Sequence, residues 1–234
     1  MRTLVLFSLL TACTPHAYSP PARTIPLEAP ASIGLGRTGV QVEGGLGTIV
    51  FGASYVHASA RVRHGVQEQT DISVEGSFVH FLDTGDDLEG ASHLGIYSGR
   101  FGVKHAFSPH VAVATGIGGG GSAGGAFISP DVALILGYEN PYCVPFVSGR
   151  LAVSIPVAPR EVVLEASSMP IVGTPDVTGS FALISGMRIP LARDDINAGA
   201  LSVGMAWVQM WDRQQANAFF SAQLGLELHF GDAP

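Results

Sequence analysis

Apolar and polar residues alternate one for one along most of this chain. Near the C-terminus Ala222, Leu224, Leu226, Leu228 and Phe230 alternate with Gln223, Gly225, Glu227 and His229. Val147, Gly149, Leu151, Val153 and Ile155 do the same with Ser148, Arg150, Ala152 and Ser154, as do Ile72, Val74, Gly76 and Phe78 with Asp71, Ser73, Glu75 and Ser77. Period two places each set on one face of a strand. No segment keeps apolar residues at helical spacing over three turns. The pattern predicts about ten strands, near 38–47, 50–64, 70–82, 93–107, 110–119, 127–138, 143–156, 177–190, 198–211 and 218–230. Most match or exceed the roughly 9–11 tilted residues that cross a bilayer. The first hairpin is the least regular. Ile49, Phe51, Ala53 and Tyr55 follow one parity and Val56, Ala58, Ala60 and Val62 the other, which predicts a bulge or a turn placed elsewhere.

The connections fall into two classes. Tight turns are expected around 64–69, 107–110, 139–142 and 191–196, and longer polar or Gly-rich loops around 83–92, 118–126, 157–177 and 212–218. After the first hairpin the two classes alternate, as short periplasmic turns and longer outer loops do in outer-membrane barrels. The fold expected is therefore all-β, an antiparallel up-and-down transmembrane β-barrel of about ten strands, with eight to twelve admissible.

Chemistry separates the faces. The apolar parity suits hydrocarbon. The other parity carries Glu43, Arg61, Arg63, Glu75, Arg100, Lys104, Arg150, Arg188 and Glu227, read as a lumen charge network. Phe107, Tyr138, Trp207 and Trp211 lie near strand ends on the outward parity and are expected as interfacial aromatics.

The N-terminal stretch adds an address. Leu10-Thr11-Ala12-Cys13 follows the apolar run from Leu4 and resembles a bacterial lipobox. About seven apolar residues are too few to span a bilayer, and with Arg2 before them they fit a signal peptide. Residues 1–12 are accordingly read as a lipoprotein signal peptide, Cys13 as the lipidation site, 13–36 as a lipidated Pro-rich tether, 37–230 as the barrel and 231–234 as a short tail. Pro15, Pro20, Pro21, Pro26 and Pro30 oppose helix interiors and central strands. An even strand count puts the barrel's C-terminus on the periplasmic side, where the lipidated N-terminus is also expected.

Composition supports the membrane reading. Charged residues make up 13% of the 234 residues and hydrophobic ones 47%, against a typical charged share of about 25% in soluble domains. Without Arg2 the chain holds 11 basic and 19 acidic residues, a formal charge of −8, which argues against nucleic acid as a partner. Cys13 and Cys143 are the only cysteines, so a lipid on Cys13 excludes an intrachain disulfide.

Segments such as Ala60-Arg-Val-Arg-His-Gly-Val66, turning into Asp71-Ile-Ser-Val-Glu-Gly76, and Gly102-Val-Lys104 before Val111-Ala-Val-Ala-Thr-Gly116 resemble small bacterial outer-membrane barrels of the opacity-protein-like kind. The resemblance covers about 190 residues as patterning and implies outer-membrane lipid and the barrel-insertion machinery as partners, to which the lipobox adds the lipoprotein-processing machinery. Such barrels typically end on an aromatic residue, whereas Phe230 is followed by Gly-Asp-Ala-Pro234.

Chemical motifs are sparse. Gly116-Ile-Gly118-Gly-Gly-Gly121 spells a dinucleotide fingerprint, but no helix follows it, so glycine packing or a loop is the reading. Asp83, Asp86, Asp87 and Glu89 lack calcium-loop spacing and read as a solvated loop. His80, His93, Ser92, Asp83 and Asp86 near the outer rim are the only candidates for catalysis, and no hydrolase motif surrounds them. No enzyme activity, cofactor or metal is expected. Three functions remain: a structural or surface-interaction barrel lipoprotein acting through its outer loops, a small anion-favouring channel, or a soluble periplasmic β-barrel lipoprotein whose apolar parity faces inward around an apolar ligand.

Overall fold

A computed structural model describes residues 17–23, 25–49, 54–82, 95–166, 169–191 and 199–231. Its strands are β1 Thr38–Ile49, β2 Ser54–Gln67, β3 Thr70–Phe81, β4 Gly95–Ser108, β5 Val111–Ser122, β6 Gly125–Gly137, β7 Val144–Pro159, β8 Val162–Ala166, β9 Met169–Gly173, β10 Thr178–Pro190, β11 Gly199–Trp211 and β12 Ala216–Phe230. Ten of them close an antiparallel barrel in the order β1-β12-β11-β10-β7-β6-β5-β4-β3-β2, while β8 and β9 form a separate hairpin. Every barrel strand pairs with its sequence neighbour, apart from β7 with β10 around the inserted hairpin and the seam of β1 with β12, Thr38 opposite Phe230.

The outward face is apolar. Val42, Leu46, Val74, Leu134, Leu151, Leu224 and Leu226 are all exposed, and the polar parity is buried inside. This overturns the soluble-barrel expectation, which required the apolar parity to face inward. It does so for a steric reason as well, since the interior is already filled.

Three local expectations are corrected. Tyr55 and His57 point into the lumen, and Val56, Ala58, Ala60 and Val62 are the outward parity of β2. β1 runs on to Ile49, past the turn expected from the sequence, β2 begins the described chain again at Ser54, and their pairing carries no bulge; Phe51 and Ala53 lie outside the described residues. The Gly-rich loop expected at 118–126 is mostly strand: β5 and β6 pair up to Ser122 opposite Gly125, whose φ of 105° suits a glycine in a tight turn. The dinucleotide-like glycines thus lie in β5, between two partners. The segment 157–177, expected as an irregular loop, carries the β8–β9 hairpin.

The largest correction concerns residues 17–36. They were expected as a tether outside the barrel, and they instead run through its lumen. Ser19, Ala22, Arg23, Ile25, Leu27, Glu28 and Ile33 are all buried. Proline explains both the expectation and the outcome. A Pro-rich segment has few amide donors, so it resists helix and sheet; for the same reason it leaves few donors unpaired when enclosed.

Candidate functional site in the barrel lumen

The strap, residues 17–36, descends the lumen from the long-loop end to the turn end. At the top, Tyr18 forms a parallel bridge with Asp176, and the Ser19 amide donates to Thr178 Oγ1 (3.0 Å). Ser154, registered opposite Thr178, donates to the Pro20 carbonyl (2.6 Å). Ser98 on β4 donates to the Ala22 carbonyl (2.7 Å). Midway, Gln41 Nε2 donates to the Leu27 carbonyl (2.8 Å), and the Leu27 amide donates to Glu43 Oε1 (3.2 Å). Lower down, Lys104 Nζ donates to the Ala31 carbonyl (2.6 Å), and Ser32 Oγ and the Ile33 amide donate to Asp71 Oδ1 (2.6 and 3.2 Å). At the bottom the Gly36 amide donates to the Gly65 carbonyl (2.8 Å), and the chain enters β1.

The lumen has two sides, and the strap matches both. Ile25 and Leu27 join Phe146, Ala182, Ile184, Ala206, Val208 and Met210 in an apolar cluster built from β7, β10 and β11. Arg23 and Glu28 meet the charges on β2, β3 and β4. Arg23 Nε lies 2.7 Å from Glu75 Oε2, and Glu28 Oε2 lies 3.0 Å from Arg61 Nη1 and 3.2 Å from Arg23 Nη1. Arg61 also donates to Gln41.

The nine expected lumen charges are all buried. Arg100 grips Asp131 with two hydrogen bonds, Nε to Oδ2 at 2.6 Å and Nη2 to Oδ1 at 2.9 Å, and Arg150 pairs with the same carboxylate. Lys104 lies 3.4 Å from Asp71. Near the turn end Glu227 pairs with Arg63 and, at 3.3 Å, with Arg188. Buried charges persist when they are paired and hydrogen-bonded, and here each of the six expected strand cations is paired with a carboxylate.

The sequence reading omitted Arg23, Glu28, Gln41, Asp71 and Asp131. Asp71 and Asp131 were within reach, since each sits on the polar parity of its strand. Arg23 and Glu28 carried no signal, because nothing in a Pro-rich run shows that it is enclosed. The omission matters for the channel reading. The apparent excess of inward cations narrows once Asp71, Asp131, Glu28 and Arg23 join them, and the strap occupies the path an anion would take. A cavity of about 60 Å³ lies near the turn end, lined by Glu28, Ser32, Arg61, Arg188, Glu227 and His229 among others. That is room for a few waters.

Inward glycines make space for the strap. A Cβ on Gly204 would lie 2.5 Å from a Leu27 methyl, one on Gly118 2.6 Å from the Ala22 Cβ, and one on Gly137 2.8 Å from the Pro30 ring. A Cβ on Gly65 would meet the Gly34 carbonyl oxygen at 1.8 Å. Gly116, from the dinucleotide-like run, leaves room for the Arg100 guanidinium.

The remaining candidates are dispersed. Phe107 and Tyr138 are exposed at the turn end, Trp211 is exposed at the long-loop end, and Trp207 is half-buried four residues deeper, edge-on to Phe181. His80 stacks on Phe78 near the top of β3. Cys13, Asp83, Asp86, Asp87, Glu89, Ser92 and His93 lie outside the described residues. Among the described residues no cluster of histidine, cysteine and carboxylate side chains is arranged to hold a metal.

No protein-family model matches the chain, and no curated protein is similar to it. Solved structures are similar in fold. An outer membrane channel from Pseudomonas putida F1 is 9% identical with a TM-score of 0.49, over 89% of this chain and 100% of that one. The outer membrane protease OmpT from Escherichia coli is 11% identical with a TM-score of 0.47, over 83% and 96%. Neisserial surface protein A is 7% identical with a TM-score of 0.43, over 83% and 96%. The likeness is one of barrel architecture alone.

Proposed function

We propose that this chain is a sealed outer-membrane β-barrel that acts through the loops at its long-loop end, in a structural or surface-interaction role. The observation that carries this reading is the strap, whose buried apolar and charged side chains occupy the lumen among the described residues. The membrane setting is supported by the outward face. On β4, ten residues separate Tyr97 near the top from Phe107 near the bottom, both exposed. At about 3.3 Å per residue and a tilt of about 40°, that spacing is about 25 Å, the height of the apolar band in outer-membrane barrels. Cys13 is the proposed lipid attachment site, on the strength of the lipobox.

The test is conductance. Purified protein inserted in a planar bilayer, with heat-modifiable migration on a gel proving that it is folded, is expected to pass no steady current. A stable open level in the unaltered protein would restore the channel reading.

A further inference from the structure

The direction of the strap fixes the side of the membrane on which the N-terminal chain emerges. Strands β1 and β12 begin and end at the turn end, and a chain entering β1 directly would start there too. The described chain instead starts at the opposite mouth. Ala17 packs where a Cβ on Gly173, the last residue of β9, would lie 3.6 Å away. Tyr18 bridges Asp176, just before β10, and Asp212 in the β11–β12 turn acts electrostatically on its hydroxyl. Two connections of the long-loop end, the one between β7 and β10 and the β11–β12 turn, thus border the exit of the strap.

Four bonds of chain separate Ala17 from Cys13. They reach at most about 14 Å even when fully extended. Return to the turn end would require about 25 Å through a lumen that the strap already fills. The exit also lies close to the lipid. Asp176 stands three residues above Gly179, which pairs with the exposed Trp211.

We therefore propose that the N-terminal end of the strap, at Ala17, faces the cell surface, so that a lipid on Cys13 would enter the outer leaflet and anchor the protein from the surface and not from the periplasm. The inference rests on the membrane-barrel reading above and on lipidation at Cys13. It replaces the expectation that the lipidated N-terminus shares a side with the strand termini.

The experiment labels single cysteines on intact cells with a membrane-impermeant maleimide. In a Cys143→Ser background, Ala17→Cys probes the exit of the strap and Pro109→Cys, exposed in the β4–β5 turn, probes the opposite end. Ala17→Cys is expected to label at least tenfold more than Pro109→Cys, and permeabilising the outer membrane is expected to equalise them. Metabolic labelling with palmitate is expected in both and lost in Cys13→Ala.

Equal protection of the two sites on intact cells, or labelling at Pro109→Cys alone, would overturn the surface placement. Absence of palmitate with Ala17→Cys labelled would overturn the lipid anchor. Boiled and unboiled samples of the same cells are run alongside. An unboiled band that does not migrate faster would overturn the barrel reading, and the inference with it.

Discussion

Leu27 and Glu28 are adjacent in the chain and serve opposite sides of the lumen. The Leu27 side chain is almost wholly enclosed, 2% exposed, between β1, β11 and β12. Truncation to alanine is expected to cost about 2–5 kcal/mol, the range for a buried leucine that leaves a cavity. Glu28 sits among Arg23, Arg61 and Lys104. Glu28→Gln leaves those cations short of their shared carboxylate and is expected to cost about 3–5 kcal/mol. Urea titration of the folded barrel in lipid vesicles, read by tryptophan fluorescence, checks both. An unchanged midpoint for either variant would mean that the strap leaves the lumen under those conditions. The wall charges around these two residues were legible as a parity pattern, because a strand turns every second side chain inward whatever lies there. The strap charges were not, because a proline-rich run has no periodicity from which an environment can be read.

Among the elements, strands were the most legible and their connections the least. Strand pattern reflects a two-sided environment that repeats over many residues, whereas a turn depends on one or two conformations. The β5–β6 hairpin shows the difference, since its glycines read as a loop and yet pair as a strand on both sides. Its turn depends on Gly125, where a Cβ would meet the Ala158 carbonyl oxygen at 1.9 Å, while one on Gly121 meets nothing within 4 Å. Gly125→Ala should therefore lower the thermal midpoint of the heat-modifiable band, and Gly121→Ala should leave that midpoint essentially unchanged, a stability difference of at most about 0.5 kcal/mol. The strap is an element of a different kind, held by side chains and not by a ladder. Arg23→Glu places a second carboxylate against Glu75 and is expected to displace the strap and produce a steady bilayer conductance. Adding Glu75→Arg is expected to restore the silent state. Conductance in neither variant would mean that the pairing does not seat the strap.

The molecule as a whole is an inverted globule, with charges paired inside and apolar side chains outside. That inversion was visible in composition as low charge without any long apolar run. It predicts a dependence on depth. Leu224, halfway along β12, and Phe230, at its end, both face outward. Leu224→Arg is expected to cost about 2–4 kcal/mol in a bilayer and Phe230→Arg about 0–1. Equal costs by urea titration in vesicles would mean that the outward face is not in hydrocarbon. The seam between β1 and β12 has a further consequence, in time. It joins the two most distant strands of the barrel, and the strap already lies inside when it shuts. A charged segment cannot be drawn lengthwise through a finished, filled cylinder without losing its solvent along the way. The strap is therefore expected to be laid against β3, β4 and β7 while the sheet is still open, with the pairing of Thr38 and Phe230 closing the barrel afterwards.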